Sequence, residues 1–169
     1  PIKREKAFMN IAVKRAKEMK LFTKPDDAID ADALVCLEND EIVFQENINR
    51  RYSPTHDILE DWALERYVSE KYDECSNLED FFDNLGNEPA IRRAFRLWVE
   101  DYLTDNNDKL VELIRVLAFD NTIERYWTDE LLISVSRSDN CACFFETFEK
   151  DLLFDNGTFL DKCLHVIKT

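Results

Sequence analysis

Apolar residues recur every three to four positions along most of this chain, the spacing of helices that bury one face. Over residues 4–20 the stripe is Phe8, Ile11, Ala12, Ala16 and Met19. Arg15 falls inside that stripe, either snorkelling out of it or meeting an acidic surface where the helix docks. Lys24-Pro25-Asp26-Asp27 ends this first helix. Two short apolar runs, 33–37 and 41–45, flank Glu38-Asn39-Asp40 and predict a β-hairpin. Such a hairpin needs a helix or another strand to cover it. Ser53-Pro54 marks the start of a helix, with Ser as N-cap and Pro in the first turn. Ile58, Leu59, Trp62, Ala63 and Val68 supply its stripe. Ser76-Asn77-Leu78-Glu79 has the form of a capping box before a short helix with Phe81, Phe82 and Leu85, which Gly86 stops.

The clearest helix is 88–103, with Ile91, Ala94, Phe95, Trp98, Val99 and Tyr102 on one face. Glu88–Arg92 and Arg96–Glu100 are spaced for pairing one turn apart. After a polar loop at 104–108, a more apolar helix over 109–119 belongs near the centre of its domain. Asn121 with Glu124 reads as a cap, and Thr128-Asp129-Glu130 as the start of a helix running to Arg137. Ser138-Asp139-Asn140 reads as a turn, and residues 141–153 fit helix or strand. The sequon Asn156-Gly157-Thr158 is read as a turn between helices. A closing helix over 158–168 is expected to bury Phe159, Leu160, Cys163, Leu164 and Ile167.

Together these predict a mostly α, single-domain fold of roughly seven helices with one β-hairpin near the N-terminus. Residues 1–24 form a basic amphipathic arm, 25–50 an acidic segment holding the hairpin, and 53–169 a helical body. A content of 45% apolar residues supplies a core, while only two Gly leave few turns for a many-stranded fold.

Charge is distributed unevenly. Residues 1–24 hold eight bases and two acids, residues 25–88 nineteen acids and four bases, and residues 89–169 fifteen acids and ten bases. The total of −14 opposes direct nucleic-acid binding by the body and favours a basic protein partner. No apolar run reaches the length of a membrane span. Five cysteines, an odd number at irregular spacing, read as reduced thiols in a cytoplasmic compartment. The abundance of Asp, Asn, Lys and Phe over Gly hints at an AT-rich genome of viral or phage type. The basic arm has three readings: packing on its own acidic body, which ranks first because its stripe needs cover; insertion into a partner; or contact with nucleic acid or anionic lipid.

No catalytic signature is present, and no cofactor is expected. Dense acids at Asp26, Asp27, Asp30 and Asp32, and at Asp105 and Asp108, match no calcium loop. His56 and Glu60, one turn apart, are a pair that a metal-dependent enzyme would use. Cys141, Cys143, Cys163 and His165 are four zinc-competent ligands in two pairs, although one-residue spacing within a pair is poor for zinc. The expectation is therefore a non-enzymatic binding or regulatory protein. It engages a basic partner electrostatically, as an inhibitor or nucleic-acid mimic, through Glu60, Asp61, Glu65, Glu70, Asp80 and Asp83. A zinc-stabilised assembly factor and a carboxylate-based, divalent-metal-dependent enzyme are the alternatives.

Overall fold

The computed structural model describes residues 2–46, 49–104, 108–120, 122–139 and 141–168. The fold is mostly helical, with a single two-stranded antiparallel sheet among the described residues. Ten α-helices are present there rather than seven: α1 (Ile2–Glu18), α2 (Ala31–Asn39), α3 (Asp57–Glu74), α4 (Leu78–Leu85), α5 (Pro89–Thr104), α6 (Asp108–Phe119), α7 (Arg125–Arg137), α8 (Cys141–Thr147), α9 (Glu149–Leu153) and α10 (Thr158–Lys168). The surplus is α2, expected as a strand, with α8 and α9, where the pattern fitted either state.

The chain divides into two compact units. The N-terminal unit holds residues 1–74 and 84–94, and the C-terminal unit holds 75–83 and 95–169.

In the N-terminal unit, α1 packs on α2, α3 and the sheet. Its Ala7, Ile11, Ala12 and Ala16 are buried, and Ala7 and Ile11 join one core with Ala33, Leu37, Val43 and Tyr52. The expected hairpin is corrected here. The run Ala33–Leu37 is helical because Asp30 caps it, its carboxylate accepting from the Ala33 amide at 3.0 Å. Ala33 and Leu37 then lie one turn apart on the buried face, while Val35 and Cys36 face solvent. The actual strands are β1 (Val43–Glu46) and β2 (Arg51–Pro54), in register Val43 to Pro54 and Glu46 to Arg51. Thr23 bridges Tyr52 on the other side of β2 through two backbone hydrogen bonds of 3.0 and 2.8 Å.

Ser53 and Pro54 are thus the end of a strand, not the start of a helix. The ladder claims the Ser53 backbone, and Pro, lacking an N–H, sits at the strand terminus where none is needed. Helix α3 begins at Asp57, with the His56 carbonyl accepting from the Leu59 and Glu60 amides at 3.2 and 3.3 Å. Gly86 follows α4 with φ +95°, a left-handed stop that a side chain would strain.

The C-terminal unit is built on aromatic rings. Phe82 lies 5.1 Å from Trp127 and 5.8 Å from Phe95, and Phe95 lies 5.0 Å from Trp127, centroid to centroid. Phe81 and Trp98 extend the cluster. The α4 cap is Asn77, one residue later than the expected Ser76: its side chain accepts from the Asp80 amide at 2.8 Å. Helix α7 starts at Arg125, so Thr128 is buried inside it and donates to the Leu117 carbonyl at 2.9 Å rather than capping. Arg96 reaches Glu130 on α7. A 3₁₀ turn at Asp155–Gly157 separates α9 from α10, with Asn156 and Gly157 at φ 56° and 79°. On α10 only Phe159 and Cys163 of the expected stripe are fully buried; Leu164 and Ile167 are exposed. Asn121, Asn140 and Asp105 lie outside the described residues.

Candidate functional site

The basic arm is part of the core of its own unit. Its Ala7, Ile11, Ala12 and Ala16 are buried where α1 packs on α2, α3 and the sheet. Met19, expected in the stripe, follows the end of α1 with a positive φ and is exposed. Several of the arm's cations are met by the segments that follow. Lys3 pairs with Asp30 at 2.7 Å, Lys14 with Asp26 at 2.6 Å, and Arg4 with Asp40. These contacts raise the Lys3 and Lys14 pKa values, and they lower those of Asp30, chiefly through Lys3, and Asp26, chiefly through Lys14 and Asn10.

Arg15 is the deepest of these contacts. Its guanidinium donates to Glu60 at 2.8 Å, with the two side chains only 19% and 7% exposed. Burial lifts the Glu60 carboxyl above its usual range despite the attraction of Arg15 and Arg93. The misfit in the α1 stripe is therefore explained: Arg15 meets the protein's own acidic middle.

The six carboxylates expected at the partner surface fare differently. Glu60, Asp61, Glu65 and Glu70 are on α3 in the N-terminal unit, whereas Asp80 and Asp83 are on α4 in the C-terminal unit. Glu60 is buried against Arg15, so its role as a surface contact is corrected. Asp61 is held by Arg93, and Glu70 pairs with Arg66 at 3.1 Å. Glu65 is half-buried. Asp80 accepts from the Asn77 amide group at 2.7 Å within the α4 cap. Asp83 is exposed.

The metal candidates are not gathered. Among the described residues, no three His, Cys, Asp or Glu side chains converge on a point that would hold a metal ion. Cys141 and Cys143 share helix α8, where two-residue spacing turns their side chains about 200° apart. Cys163 is buried on α10, its thiol pushed up to about 11 by burial, while His165 is exposed. His56 is exposed before α3, and the carboxylate it would share is turned to Arg15.

Two surface concavities stand out. In the C-terminal unit, a cleft of about 650 Å³ is lined by both signs of charge, Asp120, Glu124 and Asp161 with Arg125 and Lys162, and by His165. Lys162 also donates to the Ala118 carbonyl at 2.6 Å. In the N-terminal unit, a groove of about 340 Å³ is floored by Phe8, Met9, Leu37, Ile42, Leu59 and Ala63. Trp62 stands at its side with 60% of its surface exposed. Arg4 and Arg66 form the rim, Arg4 held by Asp40 and Arg66 by Glu5 and Glu70.

Expecting Trp62 in the core was the main error on α3. At 100° per residue, Leu64 and Tyr67 occupy one side of the helix, and Ile58 and Trp62 lie about 120° and 160° around from Leu64. The apolar set was too wide for one stripe, and that width was the signal missed. Next to Ile58 and Trp62 runs a row of Asp57, Asp61 and Glu65, four residues apart.

No protein-family model matches this chain, and no curated protein is significantly similar to it in sequence. Among the described residues, no helix is long and apolar enough to cross a membrane.

Proposed function

We propose that this chain is a non-enzymatic binding protein that uses surplus carboxylates to engage a basic protein partner. The observation that carries this reading is stoichiometric. The C-terminal unit contains eighteen acids and eight bases, so ten carboxylates remain even if every base is paired internally. The N-terminal unit contains eighteen acids and fourteen bases and is nearly self-compensated. The surplus favours encounter with a positive surface and repels phosphate. A basic surface that normally holds nucleic acid is the most specific target, and occupying it would inhibit. Within α4 exposed Glu79 takes the place of buried Glu60 as a contact, beside Asp83, which is also exposed.

The test is affinity capture from the source cell, washed at low and then high salt. A stoichiometric basic partner released by salt is expected. Reversing Asp57, Glu79 and Asp83 to Lys is expected to slow association and remove the partner. A partner retained at high salt and indifferent to those reversals would refute the proposal.

A further inference from the structure

We infer that the cleft in the C-terminal unit, where the start of α7 meets α10, is a small-molecule site that takes a free basic amino acid, arginine or lysine. None of the carboxylates assigned to the partner surface lines it, so the two sites stand or fall separately.

At about 650 Å³, the cleft falls within the roughly 300–1,000 Å³ of small-molecule pockets. Three carboxylates, Asp120, Glu124 and Asp161, line it with two cations, Arg125 and Lys162. Two of these five are already engaged by uncharged groups. The Asp120 carboxylate accepts from the Thr122 amide and hydroxyl at 2.8 and 2.7 Å, and Lys162 donates to the Ala118 carbonyl. The side chains of Glu124, Arg125 and Asp161 have no ion-pair partner among the described residues. Opposite charges that line one cleft without pairing leave their poles apart. A ligand carrying both signs can bridge them, whereas a simple anion or cation meets repulsion from one side.

The count of unpaired groups sets the ligand's pattern. Two carboxylates and one guanidinium call for two cationic groups and one anionic group. A basic amino acid carries these: an α-carboxylate for Arg125, whose planar fork suits carboxylates, and an α-ammonium and a side-chain cation for Glu124 and Asp161. Its single net positive charge also offsets the one-carboxylate excess of the lining. Ile123, 8% exposed, gives its aliphatic stem an apolar surface. An acidic amino acid reverses this balance, and a neutral one leaves a carboxylate unmet.

Calorimetric titration of the full chain tests the site. L-Arginine or L-lysine is expected to bind at least about tenfold more tightly than norleucine, which lacks the side-chain cation, and than L-glutamate. Agmatine, which is arginine without its carboxylate, is expected to be weaker than arginine by a similar factor. Arg125→Gln should bring arginine down to the affinity of agmatine, and Glu124→Gln or Asp161→Asn should remove most of the preference over norleucine. All three positions are exposed, so circular dichroism should show the parent fold in each variant. No binding of either basic amino acid at millimolar concentration would overturn the inference. So would equal binding of arginine and agmatine, or an Arg125→Gln chain that binds arginine as the parent does. Nα-acetyl-arginine binding as tightly as arginine would overturn the free amino acid in favour of a polypeptide C-terminus ending in a basic residue.

Discussion

Replacing Arg15 with Met tests a part-buried ion pair and separates it from the more exposed pairs around it. Met keeps most of the aliphatic stem in place, so the change removes mainly the charge and its hydrogen bond. Glu60 is then left with a side chain 7% exposed and its nearest counter-charge gone. It has two ways to respond. It can stay ionised and suffer the desolvation of an unpaired buried carboxylate, which costs roughly 3–5 kcal/mol. Otherwise it can take up a proton, at about 1.4 kcal/mol for each pH unit above its unfolded value near 4.3. The second route caps the penalty at about 3.7 kcal/mol at pH 7 and about 1 kcal/mol at pH 5. Residual attraction from Arg93 lowers both figures. We therefore expect a loss of about 2–3.5 kcal/mol at pH 7 that shrinks to about 1 kcal/mol or less at pH 5.

The sign follows from the direction of the shift. A carboxyl whose pKa is raised in the folded state binds its proton more tightly there. Its contribution is complete below the unfolded value and declines as pH rises through the folded one. The Arg15→Met chain enlarges that upward shift, so its deficit grows with pH. Urea unfolding followed by circular dichroism at pH 5 and pH 7 measures this directly. Adding Glu60→Leu removes the stranded carboxylate and is expected to return stability to within about 1 kcal/mol of the parent. A deficit under about 1 kcal/mol at pH 7, a deficit independent of pH, or a double variant as unstable as the single would each refute the reasoning.

Asp26 and Asp30, both with lowered pKa values, contribute stability above their unfolded value near 3.9 and lose it as pH falls through their folded values. An acid titration should therefore show unfolding setting in below about pH 4, opposite in sign to the Glu60 effect, and added salt should shrink it. Trp127→Ala in the aromatic cluster of the C-terminal unit is expected to cost about 3–5 kcal/mol in urea unfolding, as for other large core aromatics. Of the five cysteines, Cys36 and Cys143 are exposed and should react with a thiol reagent in the folded protein at pH 8. Cys163, with its thiol at about 11, should react only after unfolding, as peptide mapping of the labelled chain would show. Metal analysis of purified protein should find no stoichiometric zinc, since Cys141, Cys143, Cys163 and His165 are not gathered into one ligand set.

The helices most legible in the sequence were those with a long, single-sided stripe. Over 88–103 and 109–119 the apolar set fills one face, and the observed ends agree within a residue. The stop at Gly86 was equally clear, because a left-handed residue after an apolar turn has few other uses. The pattern misled where an apolar run was short. Ala33–Leu37 has no polar residue to reveal its period, so strand and helix look alike, and the Asp30 cap three residues upstream decides for helix. The Ser53-Pro54 signal failed for a related reason: Pro suits the end of a strand as well as the first turn of a helix. Glu60 was legible as an acid outside the α3 stripe but not as a buried one. Its partner lies 45 residues away, and pairings at that separation leave no local spacing to read. Arg15 was the other half of the same contact and did leave a trace, as a cation on an apolar face.

The linear charge map and the folded one lead to different surfaces, and this decides where a partner would be sought. Read along the chain, residues 1–24 are a basic arm and residues 25–88 the acidic extreme. Folding sets one against the other: Lys3, Arg4, Lys14 and Arg15 each meet an acid from residues 26–60. An arm buried through Ala7, Ile11 and Ala12 cannot leave to enter a partner without unfolding its unit. That removes the insertion reading of the arm. It also removes much of the negative surplus that made the middle segment the natural docking face. What remains is the excess of carboxylates in the C-terminal unit, eighteen acids against eight bases. Such an excess favours rapid, salt-sensitive encounter with a positive surface. A partner engaged there would lose association rate when Glu79 and Asp83 are reversed. Its dissociation rate would change less, because rim charges act mainly on encounter and buried anchors on residence.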